Sequence, residues 1–208
     1  WFFPENTALY RERYLLFNEI SEEERKAFKY NLDKLIKISL YCQNKDIFLS
    51  KNPPHTGRIK TLLEMYPDAK FIYLVRNPYT VFESTRSFFR NTIKPLQLQQ
   101  VSDDKLEKDI LETYIGLFDK YESEKGMVPS GNLVEIRFED FEADPLNVTE
   151  ETYRKLSLGG FEDARENMEK YLSGHKGFKK NKYSYSDRTV RLVEDNWEKA
   201  LKKWGYSL

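Results

Sequence analysis

One cysteine, two histidines and nine glycines stand in a chain of 208 residues, and each scarcity removes a class of explanation. Cys42 alone can close no intrachain disulfide, and its place in an apolar helical pattern predicts a buried small hydrophobe. Two histidines and one cysteine make no zinc site, so no metal is expected. None of the glycines sits in a Gly-rich turn of the kind that cradles phosphates with backbone amides. No apolar run approaches the roughly 20 residues that cross a bilayer. The opening "WFFPENTALY" lacks the basic-then-apolar order of a secretory leader. The expectation is a chain with no membrane segment and a cytoplasmic location. Lys+Arg and Asp+Glu both number 34, for a formal net charge of zero, which argues against nucleic-acid partners. Any anion site must be local. Asn147-Val-Thr reads as a glycosylation sequon and decides nothing.

What remains is enough for a core. Apolar residues make up 39% of the chain and aromatics 15%, which fits one α/β domain over 1–208. Ser21 and Glu24 form a capping-box pair ahead of Phe28, Leu32, Leu35 and Ile36 at helical spacing. A short helix is expected around 8–17, and "DIFLS" at 46–50 reads as a short buried strand. "GRIKTLLEMY" is a helix stopped by Pro67. "KFIYLV" at 70–75 reads as a strand covered on both faces, and "NLVEIRF" at 132–138 as a third strand. Between them lie a helix opened by Asn77-Pro78 and a long one ended by Gly126. Asn147 with Glu150 is expected to cap a further helix, and Ser186 begins a last one burying Val190, Val193, Trp197, Leu201 and Trp204. Strands alternating with helices imply a parallel sheet of at least three strands with helices on both faces. Ligands bind outside the carboxyl ends of such strands. That rule brings Lys51–His55, Arg76–Ser84 and Glu139–Asp144 to one rim.

"LVRNPYTVFES", 74–84, carries the sharpest chemistry. An arginine leaving an apolar strand at a helix mouth needs an anion, and helix N-termini offer free amides and a positive dipole end. Thr80, Ser84 and Ser87 form a hydroxyl stripe on that helix. A phosphate monoester would suit Arg76 and Ser84; a carboxylate such as Glu83 or Asp140 is the competing partner for Arg76. His55, in a Pro-Pro loop, has the chemistry of a general base or is a loop histidine at the surface. Lys51 either neutralises a developing anion or is solvated. "GHKGFKKNKYSYSDRTVR" interleaves Lys176, Lys179, Lys180, Lys182, Arg188 and Arg191 with Phe178, Tyr183 and Tyr185. Such a run closes over a nucleotide or is a solvated surface.

"FLSKNPPHTGRIKTLLEMYPDAKFIYLVRNPYTVFESTRSFF" resembles the sulfotransferases that use 3′-phosphoadenosine-5′-phosphosulfate (PAPS), in the bacterial-type branch with a K-(N/S)-P-P-H-T-G-R loop. "VEIRFEDFEADPLNVTEETYRKL" resembles the same family's strand and following E-D element, and the likeness runs over about 12–205. It implies a P-loop nucleotide-binding-like architecture. It implies that Arg76 and Ser84 hold the 3′-phosphate, helped by Lys180 and Lys182. His55 becomes the catalytic base, with Glu139 or Asp140 in reserve, and Lys51 stabilises the leaving oxygen. The partners implied are the nucleotide co-substrate and an acceptor hydroxyl or amine. The family's first strand and its P-R-S-G-T-T phosphate loop are absent from the sequence, so the expectation is the C-terminal two-thirds of a longer protein, inactive alone. Two rival classes remain: a non-catalytic scaffold that keeps the fold, and a nucleotide kinase. The kinase would need a Gly-rich loop ending in Lys-Ser/Thr, which the sequence does not contain.

Overall fold

Two five-residue strands, β1 (Phe71–Val75) and β2 (Leu133–Arg137), pair in parallel from Phe71 against Leu133 to Val75 against Arg137. The computed structural model describes residues 2–174 and 183–207. Helices α1 (Thr7–Tyr10), α2 (Glu22–Gln43) and α3 (Ile59–Met65) precede β1. Helices α4 (Pro78–Phe88) and α5 (Asp103–Glu124) connect it to β2. Then follow α6 (Phe138–Ala143), α7 (Pro145–Lys155), α8 (Phe161–Gly174) and α9 (Asp187–Trp204). The α/β class with a parallel sheet and flanking helices therefore holds.

The helix starts follow from side chains that accept from first-turn amides. Ser21 and Glu24 close the expected capping box on α2, and Ser102 and Ser186 cap α5 and α9. Asp144, not Asn147, caps α7: its carboxylate accepts from the Asn147 amide, and Pro145 takes the first helical position. Helix α5 ends two residues before Gly126, in a 3₁₀ turn over Lys125–Met127.

The core lies between α4, α5 and α9. Trp197 is fully enclosed, stacks on Tyr114 at 3.9 Å, and donates its indole N–H to the Leu111 carbonyl at 2.9 Å. Phe82 meets the same indole edge-on. Beside this apolar cluster runs a brace of charge. Glu107, 3% exposed, accepts from Arg86 at 2.9 Å and from Arg188. Glu83 accepts from Arg86 and, at 2.6 Å, from the Thr189 hydroxyl. A buried carboxylate is tolerated only when paired and hydrogen-bonded, so these contacts fix the register of the three helices against one another.

Several expectations need correcting. Residues 46–50 form no strand: they are irregular, with Ile47 82% and Leu49 85% exposed. An isolated extended segment has no ladder partner to hold it, and among the described residues the sheet has two strands, not three. Among the described residues, helices do not enclose β1 on both faces. Tyr73 stacks on Tyr121 of α5 at 3.8 Å, whereas Ile72 and Leu74, on the opposite face, are about half exposed. Cys42 is exposed near the end of α2 instead of buried, and Leu35 also points outward. The helix expected over 8–17 is α1 followed by a π-helical turn, Arg11–Leu15. Among the described residues no helix is long and apolar enough to cross a membrane.

Replacing the enclosed indole tests this core. Trp197→Ala should cost about 3–5 kcal/mol in urea denaturation. A loss under about 1 kcal/mol would mean that Trp197 does not join α9 to α5.

Candidate functional site

Arg76 is the first residue after β1, and its guanidinium lies over the ring of Phe138, 4.4 Å from the centroid. Phe138 opens α6 directly after β2, so the parallel pairing of the strands brings the two residues together. Neither carboxylate weighed as an alternative partner pairs with Arg76. Glu83 is bound to Arg86, and among the described residues Arg76 makes no ion pair. A cation stacked on a ring keeps its in-plane donors available. Along α4, Ser87 accepts from Asn91 at 3.1 Å and Thr80 is 2.6 Å from the Tyr185 hydroxyl. The side chain of half-buried Ser84 makes no hydrogen bond to any described residue, which leaves its hydroxyl available.

The mouth of α4 is closed. Asn77 Oδ1 accepts from the amides of Tyr79 and Thr80 at 3.0 and 3.3 Å, and Pro78 has no N–H. The remaining amide, Asn77 N–H, donates to Glu139 Oε1 at 2.9 Å. The free amides expected there are thus all taken, and the anion at the positive end of the helix is the protein's own Glu139. Glu139 Oε2 accepts from Tyr206 at 2.6 Å. Burial alone would raise this carboxyl, but the bonds from Tyr206 and the Asn77 amide outweigh it and hold it below the usual range. With both oxygens engaged and its proton affinity lowered, Glu139 is a poor reserve base.

His55 sits in a 3₁₀ turn, Pro53–Gly57, that packs on α3 and α5. Gly57 is required by the close approach: a Cβ there would stand 2.6 Å from the Leu15 carbonyl oxygen. Asn52 Nδ2 lies 3.3 Å from His55 Nε2. An amide donor at Nε2 puts the ring proton on Nδ1, which is buried without a partner. Burial, and secondarily Arg58, lowers the imidazole below its ordinary value, so it is neutral at pH 7. Arg58 itself lies over the rings of Phe17 and Phe28 and donates to the Tyr14 carbonyl. Lys51 is exposed and unpaired among the described residues. No hydrogen bond, ion pair or ring contact among those residues joins Lys51 or His55 to Arg76 or Ser84. The contacts unite the Arg76 and Glu139 segments and set the His55 turn against α5.

Lys180 and Lys182 lie outside the described residues. Arg188 and Tyr185, from the same basic run, are engaged in holding α9 to α4 and α5. An open groove of about 740 Å³ between α4 and α9 is lined by Tyr79, Glu194, Asp195, Glu198 and Lys202. Its excess of carboxylates makes it unsuited to a nucleotide.

A family model described as the sulfotransferase family matches residues 5–163. The chain belongs to the sulfotransferase family. Two proteins named omega-hydroxy-beta-dihydromenaquinone-9 sulfotransferase Stf3, from Mycobacterium bovis and Mycobacterium tuberculosis, are each 32% identical to it over 204 residues. Those matches cover 98% of this chain and 52% of each relative, so the chain spans about half the length of the curated relatives it matches. No solved structure matches.

The stretch matched to the sulfotransferase family contains Lys51, His55, Arg76 and Ser84 and ends before Lys180 and Lys182. Sequence reasoning missed Phe138 as the ring under Arg76, although an aromatic directly after the paired strand was the available signal. It also missed Tyr206, for which no local signal exists.

The Glu139 contacts carry a pH signature. Its folded pKa lies below its unfolded value, so its contribution is fully present above about pH 4.3 and is lost as pH falls through the folded value. Glu139→Gln should therefore be less stable than the parent near pH 7, with the gap narrowing below about pH 4. A gap independent of pH, measured by thermal unfolding, would remove the charge from this account.

Proposed function

We propose that the full-length protein transfers a sulfuryl group from PAPS to an acceptor hydroxyl or amine, without a metal. The observation that carries this reading is Arg76, stacked on Phe138 and free of any carboxylate among the described residues, eight positions before the unengaged Ser84. A guanidinium only donates and a hydroxyl has one O–H to donate, a pair that suits the acceptor oxygens of the 3′-phosphate of an adenosine nucleotide. With the α4 amides taken, side chains alone hold that phosphate. Lys180 and Lys182 add positive charge. No residue described here fits the donor's 5′-phosphosulfate. We assign that cradle, and the P-loop-like first strand, to a part of the whole protein outside these residues, with 1–208 as part of one domain.

In the reaction the acceptor oxygen or nitrogen forms a bond to sulfur, the bond between sulfur and the phosphate oxygen breaks, and adenosine 3′,5′-bisphosphate leaves. His55 takes the acceptor's proton. It is neutral, and its Nε2 lone pair is held only by the 3.3 Å contact with Asn52. Lys51, exposed four residues before it, offsets charge on the departing oxygen. A hydroxyl acceptor accords with the relatives, whose names cite a hydroxylated dihydromenaquinone. One observation favours a second reading, a non-catalytic protein that retains the fold: the amide end of α4 is filled by the protein's own carboxylate.

Two substitutions in the full-length protein separate these readings. Arg76→Ala should weaken adenosine 3′,5′-bisphosphate binding by about 1.5–3 kcal/mol per charge-assisted bond lost, with AMP binding little changed. Calorimetry giving equal affinities of the parent for AMP and the bisphosphate would defeat the cofactor assignment. His55→Ala should lower turnover about 10²-fold or more while bisphosphate affinity stays near that of the parent. Near-normal turnover would place the base elsewhere, and absence of sulfuryl transfer by the parent protein would favour the scaffold.

A further inference from the structure

The hydroxyl stripe on α4 holds one more donor than Ser84. Thr80 Oγ1 and the Tyr185 hydroxyl are 2.6 Å apart, and either can donate to the other. Two hydroxyls carry two O–H protons, and their mutual bond uses one. The other proton has no acceptor among the described residues. Helical threonines commonly spend theirs on the carbonyl one turn back, as Thr149 and Thr152 do at 2.6 and 2.7 Å. Thr80 does not; its hydroxyl is turned toward Tyr185 instead. Tyr185 is itself set in place, since its ring packs on Tyr79 and the following Arg188 and Thr189 are tied to Glu107 and Glu83.

Thr80 and Ser84 are four residues apart in one helix, so their Cβ atoms are neighbours at about 5–6 Å. Arg76 precedes Thr80 by the same interval. A phosphate monoester has three terminal oxygens, each able to accept more than one hydrogen bond, and a guanidinium fork typically turns two of its donors to one phosphate, so one guanidinium and one hydroxyl leave acceptor positions open. We propose that Thr80, with its hydroxyl oriented by Tyr185, is a further ligand of the phosphate held by Arg76 and Ser84. Tyr185 acts through Thr80 and is a positioning residue. This inference rests on the assignment of the 3′-phosphate to Arg76 and Ser84.

Titration calorimetry of the full-length protein with adenosine 3′,5′-bisphosphate, and with AMP as the ligand lacking the 3′-phosphate, tests it. Thr80→Val keeps the shape and removes the donor; it should weaken the bisphosphate about tenfold or more and leave AMP unchanged. Tyr185→Phe keeps the ring and should weaken the bisphosphate about fivefold. Thr80→Ser, which restores a hydroxyl, should recover most of the affinity. Because Tyr185 acts through Thr80, the double variant Thr80→Val, Tyr185→Phe should bind no more weakly than Thr80→Val alone. Equal weakening of AMP and bisphosphate, or failure of Thr80→Ser to recover affinity, would reduce Thr80 to a structural residue. Additive losses would overturn the positioning role of Tyr185. If Arg76→Ala weakens the bisphosphate and Thr80→Val does not, this inference alone falls. If neither does, the phosphate assignment falls with it.

Discussion

The carboxylate of Glu139 at the first turn of α4 is the constraint on which the candidate site depends. One oxygen takes the Asn77 amide and the other the Tyr206 hydroxyl. A single side chain thereby joins the end of β1, the start of α6 and the residues after α9. It also supplies the negative charge that the helix terminus favours, so the terminus has no need of a ligand for its own stability. On the proposed function, an incoming phosphate would meet side-chain donors only. Side-chain donors can be arranged for one phosphate and not another, whereas a row of amides accepts any anion of suitable size.

The charge brace works at the other side of the same helix. Glu83 and Ser84 are adjacent in sequence yet differ in what their surroundings demand. Glu83 is turned inward to Arg86 and Thr189, and the Ser84 hydroxyl has no bond to any described residue. Arg86 and Arg76 differ in the same way, one spent on two buried carboxylates and the other on an aromatic face. Carboxylate-paired and ring-stacked arginines therefore lie within one short stretch. The difference lies in what α5, α6 and α9 bring against it.

Much of the architecture was legible because its causes are local. Capping side chains at Ser21, Asn77 and Ser186 accept from amides two or three residues away, and the strand Phe71–Val75 is an unbroken apolar run. The errors arose where local pattern meets distant partners. "DIFLS" has the composition of a strand, but a strand exists only with a neighbour to bond, and none lies beside it among the described residues. Cys42 fits an apolar helical pattern, yet among the described residues the end of α2 leaves it exposed.

The sequence by itself determined the family, the chemical character of Arg76, Ser84 and His55, and the presence of parallel strands near 70–75 and 132–138, since spacing and residue type are written along the chain. Only the tertiary structure decided which arginine was free. That outcome turns on Glu107 and Glu83 reaching Arg86 from one direction while Phe138 reaches Arg76 from another. It likewise decided that the amide end of α4 is filled by Glu139, 62 residues from Asn77 in the chain. Hydrogen bonds between groups so far apart are set by how helices and strands pack, and packing is a property of the whole chain that no local pattern encodes.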